Sequence, residues 1–284
     1  QIVEILERAQ SSKALPLELV AVDQVTPHED IDDKRVQRLM TRLEIDNRLV
    51  NPPITMRWKG KYVVLDGATR YSALRRLGLR YIIVQVFEPQ QSELQLHTWY
   101  HAISNAQRPL SELFAQVENI TGLRLIKLDG KDIQFALSDP RTLCYFLDTD
   151  GMAILAQETE GAKRLAVMKE LVQVYSNWGV VERTLLTDVP RLMAQFPHLK
   201  AVAIFPQFVP DNVFDAARAG DFLPAGLTRF IIPGRILRLN ADLARLKRQE
   251  PLSEKRAWFN DFLSEKLRHS RLRFYQESVV LLDE

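Results

Sequence analysis

The sequence predicts an α+β fold in two domains, and three observations carry that expectation. The chain has 284 residues, and at roughly 100–200 residues per domain this is about two domains. Short apolar runs bounded by Gly, Pro, Asn or Asp have strand length, while longer ones repeat at helical spacing. Both kinds occur along the whole chain, with no internal repeat and no low-complexity segment. Finally, 46% of residues are hydrophobic and 26% charged, enough apolar material for a core and too much for a disordered chain.

The same arithmetic excludes several classes. Lys and Arg number 38 against 36 Asp and Glu, a net charge of +2, which is too balanced for a dedicated nucleic-acid coat protein. Cys144 is the one cysteine, so neither a disulfide scaffold nor a cysteine zinc cluster can form. No apolar run approaches the ~18–20 residues of a membrane span. Gln1 to Gln10 carries charges where a signal peptide would be apolar. The expectation is a soluble cytoplasmic protein with no membrane partner.

Taken in order, Leu17–Val22 has strand character, and Pro27 breaks the chain before a turn at His28-Glu29-Asp30. Asp32 or Asp33 can cap a helix whose apolar face is Val36, Leu39, Met40 and Leu43, spaced i, i+3, i+4, i+7. Asn51-Pro52-Pro53 ends that unit. Ile54–Arg57 and Tyr62–Leu65 read as a hairpin across Lys59-Gly60-Lys61. A helix over 68–77 is stopped by Gly78, at the position where a left-handed residue ends helices. Tyr81–Phe87 is a strand, and Leu94–Ile103 is ambiguous between strand and helix. Ser104–Pro109 is a plausible boundary. Leu110–Ile120, Ala162–Tyr175, Val213–Arg218 and Ser253–Arg268 read as helices. Strand-like pieces with Asp-Gly turns fill Leu123–Leu155, Ala201–Phe205 is a buried-type strand, and 222–230 is a loop entering a strand.

Val63-Val64-Leu65-Asp66-Gly67-Ala68-Thr69-Arg70-Tyr71 is the most informative stretch. A buried strand gives way to a helix within a few residues. The free N–H groups and positive dipole end of such a helix attract an anion. Gly67 permits close backbone approach, Arg70 offers a planar cationic fork, and a carboxylate such as Asp66 can hold Mg²⁺. On physics alone, an ordinary strand–turn–helix with Asp66 as cap is the favoured reading, since a single glycine is a weak signal.

That stretch resembles the nucleotide-binding turn of the ParB/sulfiredoxin superfamily, a strand followed by a Gly-x-x-Arg turn and an Ala/Leu-rich helix ending in Gly. The order of elements over residues 15–105 is similar as well. Sulfiredoxins carry a reactive cysteine in the turn, which is absent here. ParB-type CTP-binding proteins carry Arg-Arg where this chain has Thr69-Arg70, followed by a helix-turn-helix that the sequence does not offer. The free serine kinase branch, with its archaeal and siderophore-biosynthesis members, matches further. Its acidic turn is matched by His28-Glu29, and its Asp-Gly-x-His-Arg turn by residues 66–70, with Thr69 for His. Its later Trp is matched by Trp99, and its Pro-x-x-x-Thr-Arg-His segment by residues 224–230, with Phe230 for His. Ile204-Phe205-Pro206-Gln207-Phe208 is similar too.

The resemblance implies a ParB/sulfiredoxin-like nucleotide-binding domain over 1–107 and a mixed α/β domain over 108–284. It implies phosphorylation of free L-serine to O-phospho-L-serine with ATP or ADP and Mg²⁺, for siderophore precursor or cysteine synthesis. Glu29 would be the base. Asp66 would hold Mg²⁺ or position phosphates, while Gly67, Ala68, Thr69 and Arg70 would cradle them. Thr228 and Arg229 would bind the serine carboxylate, with Trp99 as a wall and Phe230 in place of a polar contact. The alternative is a nucleotide-sensing regulator binding DNA, favoured by the Thr69 and Phe230 departures. His97 and His101, spaced i, i+4, have no third ligand and read as structural. The basic stretch of Lys255, Arg256, Lys266, Arg268, Arg271 and Arg273 reads as a solvated helix face.

Overall fold

The computed structural model describes residues 15–91, 94–129 and 132–268. In chain order its first elements are β1 (Leu17–Ala21), β2 (Val25–Pro27), α1 (Asp33–Asp46), β3 (Arg48–Leu49), β4 (Ile54–Trp58), β5 (Lys61–Asp66), α2 (Ala68–Arg76) and β6 (Tyr81–Phe87). Next come β7 (Gln95–Thr98), β8 (Tyr100–Ser104), α3 (Leu110–Glu118), β9 (Leu123–Leu128), β10 (Thr142–Asp148), β11 (Ala153–Glu158), α4 (Arg164–Trp178) and β12 (Val180–Thr184). The last are α5 (Val189–Gln195), β13 (Leu199–Ile204), α6 (Pro210–Ala219), β14 (Thr228–Ile231), β15 (Ala241–Asp242), α7 (Leu243–Lys247) and α8 (Leu252–Arg268).

The chain divides into two compact units. Of the described residues, the first comprises 15–25, 33–91 and 236–268, the second 26–32, 94–129 and 132–235. This differs from the expected division at 107/108 in three places. The His28-Glu29 turn belongs to the second unit because its backbone pairs with Leu223: Asp30 N–H donates to the Leu223 carbonyl at 2.7 Å, and Leu223 N–H to the His28 carbonyl at 2.9 Å. The chain passes to the second unit well before residue 107, because β8 is an interior strand of its sheet. The chain returns to the first unit after Arg235, where Ile236 N–H reaches Gln85 Oε1 and β15 pairs with β3.

The first unit is built on a five-stranded sheet, order β1-β6-β4-β5-β2. β4 and β5 form the expected hairpin, with Lys59 and Gly60 both at positive φ, the geometry that matches strand twist in a two-residue loop. Val63, Val64, Ile82, Ile83 and Val84 are fully buried, as expected of near-continuous apolar strands covered on both faces. Gly78 has φ +78° and follows α2 as a left-handed stop. In α8, Lys255 departs from the expected solvated face: it is buried, and its Nζ donates to the Arg245 and Leu246 carbonyls. Burial lowers its pKa. Arg271, Arg273 and His269 lie outside the described residues.

The second unit is a six-stranded sheet, order β12-β8-β13-β10-β11-β9, antiparallel throughout. Its period-2 alternation sends Ile103, Phe146 and Ala203 to a core with α3 and α4. Ala102, Tyr145 and Val202 face a second core that includes Leu192 of α5. The ambiguous 94–103 segment resolves into two strands: β7 pairs with β14, and β8 joins the large sheet. His97 and His101 are therefore on different strands, and among the described residues no group of three or more His, Cys, Asp or Glu could hold a metal. No helix among the described residues is long and apolar enough to cross a membrane.

Candidate active site

In the second unit, a glutamate is held by a loop almost two hundred residues away in sequence. Glu29 Oε2 accepts from Gly226 N–H at 2.8 Å. Its Oε1 accepts from Thr228 N–H at 2.6 Å and from the Thr228 hydroxyl at 2.5 Å. Gly226, at φ +87°, turns the loop so that two amides of alternate residues converge on one carboxylate, an anion-binding concavity. The Glu29 side chain is 15% exposed, so it is mostly but not wholly enclosed.

His28 extends this array. Its Nε2 lies 2.6 Å from Thr228 Oγ1. The single hydroxyl proton is committed to Glu29, so His28 Nε2 carries a proton and donates to the oxygen. The His28 ring is buried and stands edge-on to Phe230 at 5.2 Å, and Phe230 stacks on Phe214 at 5.9 Å. Phe230 is thus a packing surface that fixes the imidazole. On the same strand, Arg229 lies over the Trp99 ring at 4.9 Å, within cation–π range. Trp99 N–H donates to the Leu227 carbonyl at 2.8 Å. Trp99 and Arg229 are half-buried, with surface left to meet a ligand. Lys169 Nζ reaches Asp30 at 2.9 Å.

In the first unit, the strand–turn–helix forms as the sequence predicts. Asp66 ends β5, and Gly67 caps α2 at φ +87°, ψ 30° with no side-chain cap on the helix. A Cβ at Gly67 would stand 2.8 Å from Arg70 Nε, so the guanidinium folds back over the turn where only glycine leaves room. Arg70 Nη2 contacts Asp66 Oδ2 at 3.3 Å, and Nη1 donates to the Asn51 carbonyl at 3.2 Å. Ala68 and Thr69 are half-exposed on the first turn. Behind them Tyr71 is buried, and its hydroxyl donates to the Val25 carbonyl at 2.7 Å, anchoring the helix start.

The structure thus joins Glu29 with Thr228, and Trp99 with Arg229, in one unit, and Asp66 with Arg70 in the other. Sequence reasoning missed His28 and Gly226 as working parts of the Glu29 array. A histidine next to an acid and a loop glycine carry no local signal, because their partner lies about two hundred positions away. Thr228 also differs from expectation. Its hydroxyl is already engaged by Glu29 and His28.

No family model matches the chain. The sequence is 27% identical over 269 residues to the ATP-dependent L-serine kinase SbnI of Staphylococcus aureus (strain NCTC 8325 / PS 47), covering 94% of this chain and 97% of that protein. Over 116 residues it is 29% identical to the ATP-dependent L-serine kinase of Staphylothermus marinus, 40% of this chain and 44% of that one. Among solved structures, SbnI with a C-terminal truncation matches with a TM-score of 0.71 at 24% identity, over 88% of this chain and 97% of that one. A free serine kinase in complex with AMP matches with a TM-score of 0.68 at 17% identity, over 82% and 94%. The fold of this chain is the fold of those kinases.

Proposed function

We propose that this chain is an ATP-dependent L-serine kinase that transfers a phosphoryl group to the serine hydroxyl and releases O-phospho-L-serine. The observation that carries the reading is the pre-built Glu29 carboxylate: two motifs of the free serine kinase pattern, far apart in sequence, meet in one hydrogen-bonded array. The similarity to named serine kinases extends over nearly the whole chain.

Phosphoryl transfer needs positioning, a base for the nucleophile's proton and cations on the phosphates. Glu29 takes the hydroxyl proton. Its donors fix the carboxylate's direction without exhausting its lone pairs, which leaves acceptor capacity for substrate. Arg229, steadied on Trp99, takes the serine carboxylate, and the Trp99 ring walls the pocket. Thr228 orients Glu29, and Phe230 orients His28. In the first unit, the backbone N–H groups of residues 68–70, the Thr69 hydroxyl and the Arg70 guanidinium hold nucleotide phosphates, as an uncapped helix start is suited to do. Asp66, a single carboxylate 41% exposed, fits a Mg²⁺ that arrives with the nucleotide and takes its other ligands from phosphate and water. When bound, that ion neutralises phosphate charge. ATP is the donor we favour from the names of the relatives, with ADP as the competing donor, and the cytoplasm is the compartment we assign. O-phosphoserine carries a good leaving group at its β-carbon, which suits synthesis of a siderophore precursor or of cysteine.

Phosphorus NMR of the protein with Mg²⁺, L-serine and ATP, ADP or CTP in separate tubes tests the reading. A phosphoserine signal is expected with ATP, and Glu29→Gln should reduce its rate at least ~100-fold, the scale of a lost general base. Absence of product in every tube would overturn the kinase assignment.

A further inference from the structure

The second unit contains a buried imidazole that the proposed reaction does not use. His101 on β8 is 3% exposed, and Tyr175 on α4 is fully buried. His101 Nδ1 lies 2.6 Å from the Tyr175 hydroxyl, and His101 Nε2 lies 3.0 Å from the Gly226 carbonyl oxygen. A carbonyl only accepts, so Nε2 carries a proton and donates. Burial lowers the His101 pKa, which makes the ring neutral. Nδ1 is then an acceptor, and the Tyr175 O–H donates to it. Burial raises the Tyr175 pKa, which keeps that proton on the phenol. The ring is also fixed edge-on by Tyr175 and Phe205 at centroid distances of 5.7 and 5.6 Å.

The relay therefore has one direction: Tyr175 O–H to His101, and His101 N–H to the Gly226 carbonyl. Gly226 N–H in turn donates to Glu29 Oε2. Gly226 is squeezed from another side as well, since a Cβ there would stand 2.9 Å from Arg183 Nε. The next peptide is pinned separately: the Leu227 carbonyl accepts from Trp99 N–H, and Thr228 N–H donates to Glu29. Burying an imidazole and a phenol costs free energy unless each finds its partners. An all-apolar filling of this core would avoid that cost. What the polar pair adds is a fixed orientation for the peptide groups flanking Gly226.

The geometry points to His101 and Tyr175 as a positioning pair that holds the Gly226 backbone so that its amide aims the Glu29 carboxylate. The catalytic part of this inference rests on the kinase reading above. The pair touches no substrate and acts through the loop.

Three variants test it: Tyr175→Phe, which keeps the ring, His101→Phe, which keeps a flat filling of the core, and His101→Gln. The last can still donate from its amide nitrogen and accept at its amide oxygen. The chain has two Ala-Gly pairs, Ala219-Gly220 and Ala225-Gly226. Labelling alanine carbonyls with ¹³C and glycine amides with ¹⁵N therefore isolates the Gly226 amide, with Gly220 as an internal control. In Tyr175→Phe and His101→Phe the Gly226 resonance should shift while Gly220 stays. In the same variants kcat should fall about 10- to 100-fold with KM for ATP little changed, the size of effect expected from a small misplacement of a reacting group. His101→Gln should restore both readouts towards the original protein. Unmoved Gly226 and unchanged kcat in Tyr175→Phe would reduce the pair to core filling, and so would a Gln variant as impaired as the Phe variant. Should His101→Phe fail to fold, Tyr175→Phe still decides. If the unaltered protein makes no phosphoserine, the kinase reading fails by that fact, while the Gly226 resonance still accepts or rejects the relay.

Discussion

The two units each present an anion-handling turn, built in opposite ways. The turn at 66–70 is local: strand end, glycine and arginine lie within five residues, and the guanidinium folds over its own loop. The Glu29 array is assembled from His28-Glu29 and residues 226–228, which meet only through tertiary structure. The local turn is half-exposed and its helix start has no side-chain cap, the kind of terminus at which backbone N–H groups can take an anion. The Glu29 array is partly buried, and three donors already hold the carboxylate in direction while leaving acceptor capacity. An open helix start suits phosphates that bring their own charge. A carboxylate held in direction with a lone pair to spare suits a base, which must point correctly at the moment of reaction.

Thr228→Val breaks the assembled site most directly. It removes the hydroxyl that donates to Glu29 and accepts from His28 while keeping the backbone N–H. A loss in kcat of about 100-fold is expected in steady-state kinetics, with a stability loss of about 1–3 kcal/mol for the buried groups left unpaired. Gly67→Ala is the matching lesion in the local turn. The side chain would meet the Arg70 guanidinium and occupy a left-handed conformation. Calorimetric titration should show ATP affinity about tenfold weaker, and thermal unfolding a loss of about 1 kcal/mol. An effect on kcat as large as that of Thr228→Val would erase the contrast between the two turns.

A smaller effect separates the two units through acid stability. The pKa of His101 is lowered in the folded state by burial, so the unfolded chain binds its proton first. Its stabilising contribution is present above the unfolded value of about 6.5 and is lost as pH falls below it. Urea unfolding against pH should show that decline, and His101→Gln should remove its share. The smallest effect concerns Cys144, fully buried, with burial pushing its thiol pKa well up. A thiol reagent should leave the folded protein unmodified and its activity unchanged, and should react fully only in denaturant. Rapid labelling of the native chain would reopen a thiol chemistry that the turn at 66–70 does not provide.

Local signals made the hairpin, the Asp66–Arg70 turn and the Gly78 stop legible, because each depends on residues only a few positions apart. The same was true of α1, whose Val36 and Leu43 are buried as the spacing requires. The 94–103 segment was ambiguous because its own periodicity is. Its strand state comes from neighbours such as β13 and β14, which the segment does not contain. The unit boundaries were not legible for a similar reason: 26–32 and 236–268 are assigned by hydrogen bonds to distant chain.

By itself, then, the sequence determined an α+β chain with a phosphate-suited turn, and through its four separated motifs the serine kinase resemblance. Tertiary structure alone decided that Thr228 donates to Glu29, that Phe230 packs against His28, and that His101 reaches the Gly226 carbonyl. Turns and helix stops are governed by φ, ψ and near neighbours, which a linear sequence displays. A carboxylate's hydrogen-bond donors are governed by which loops the cores bring together, and that follows from packing the whole unit.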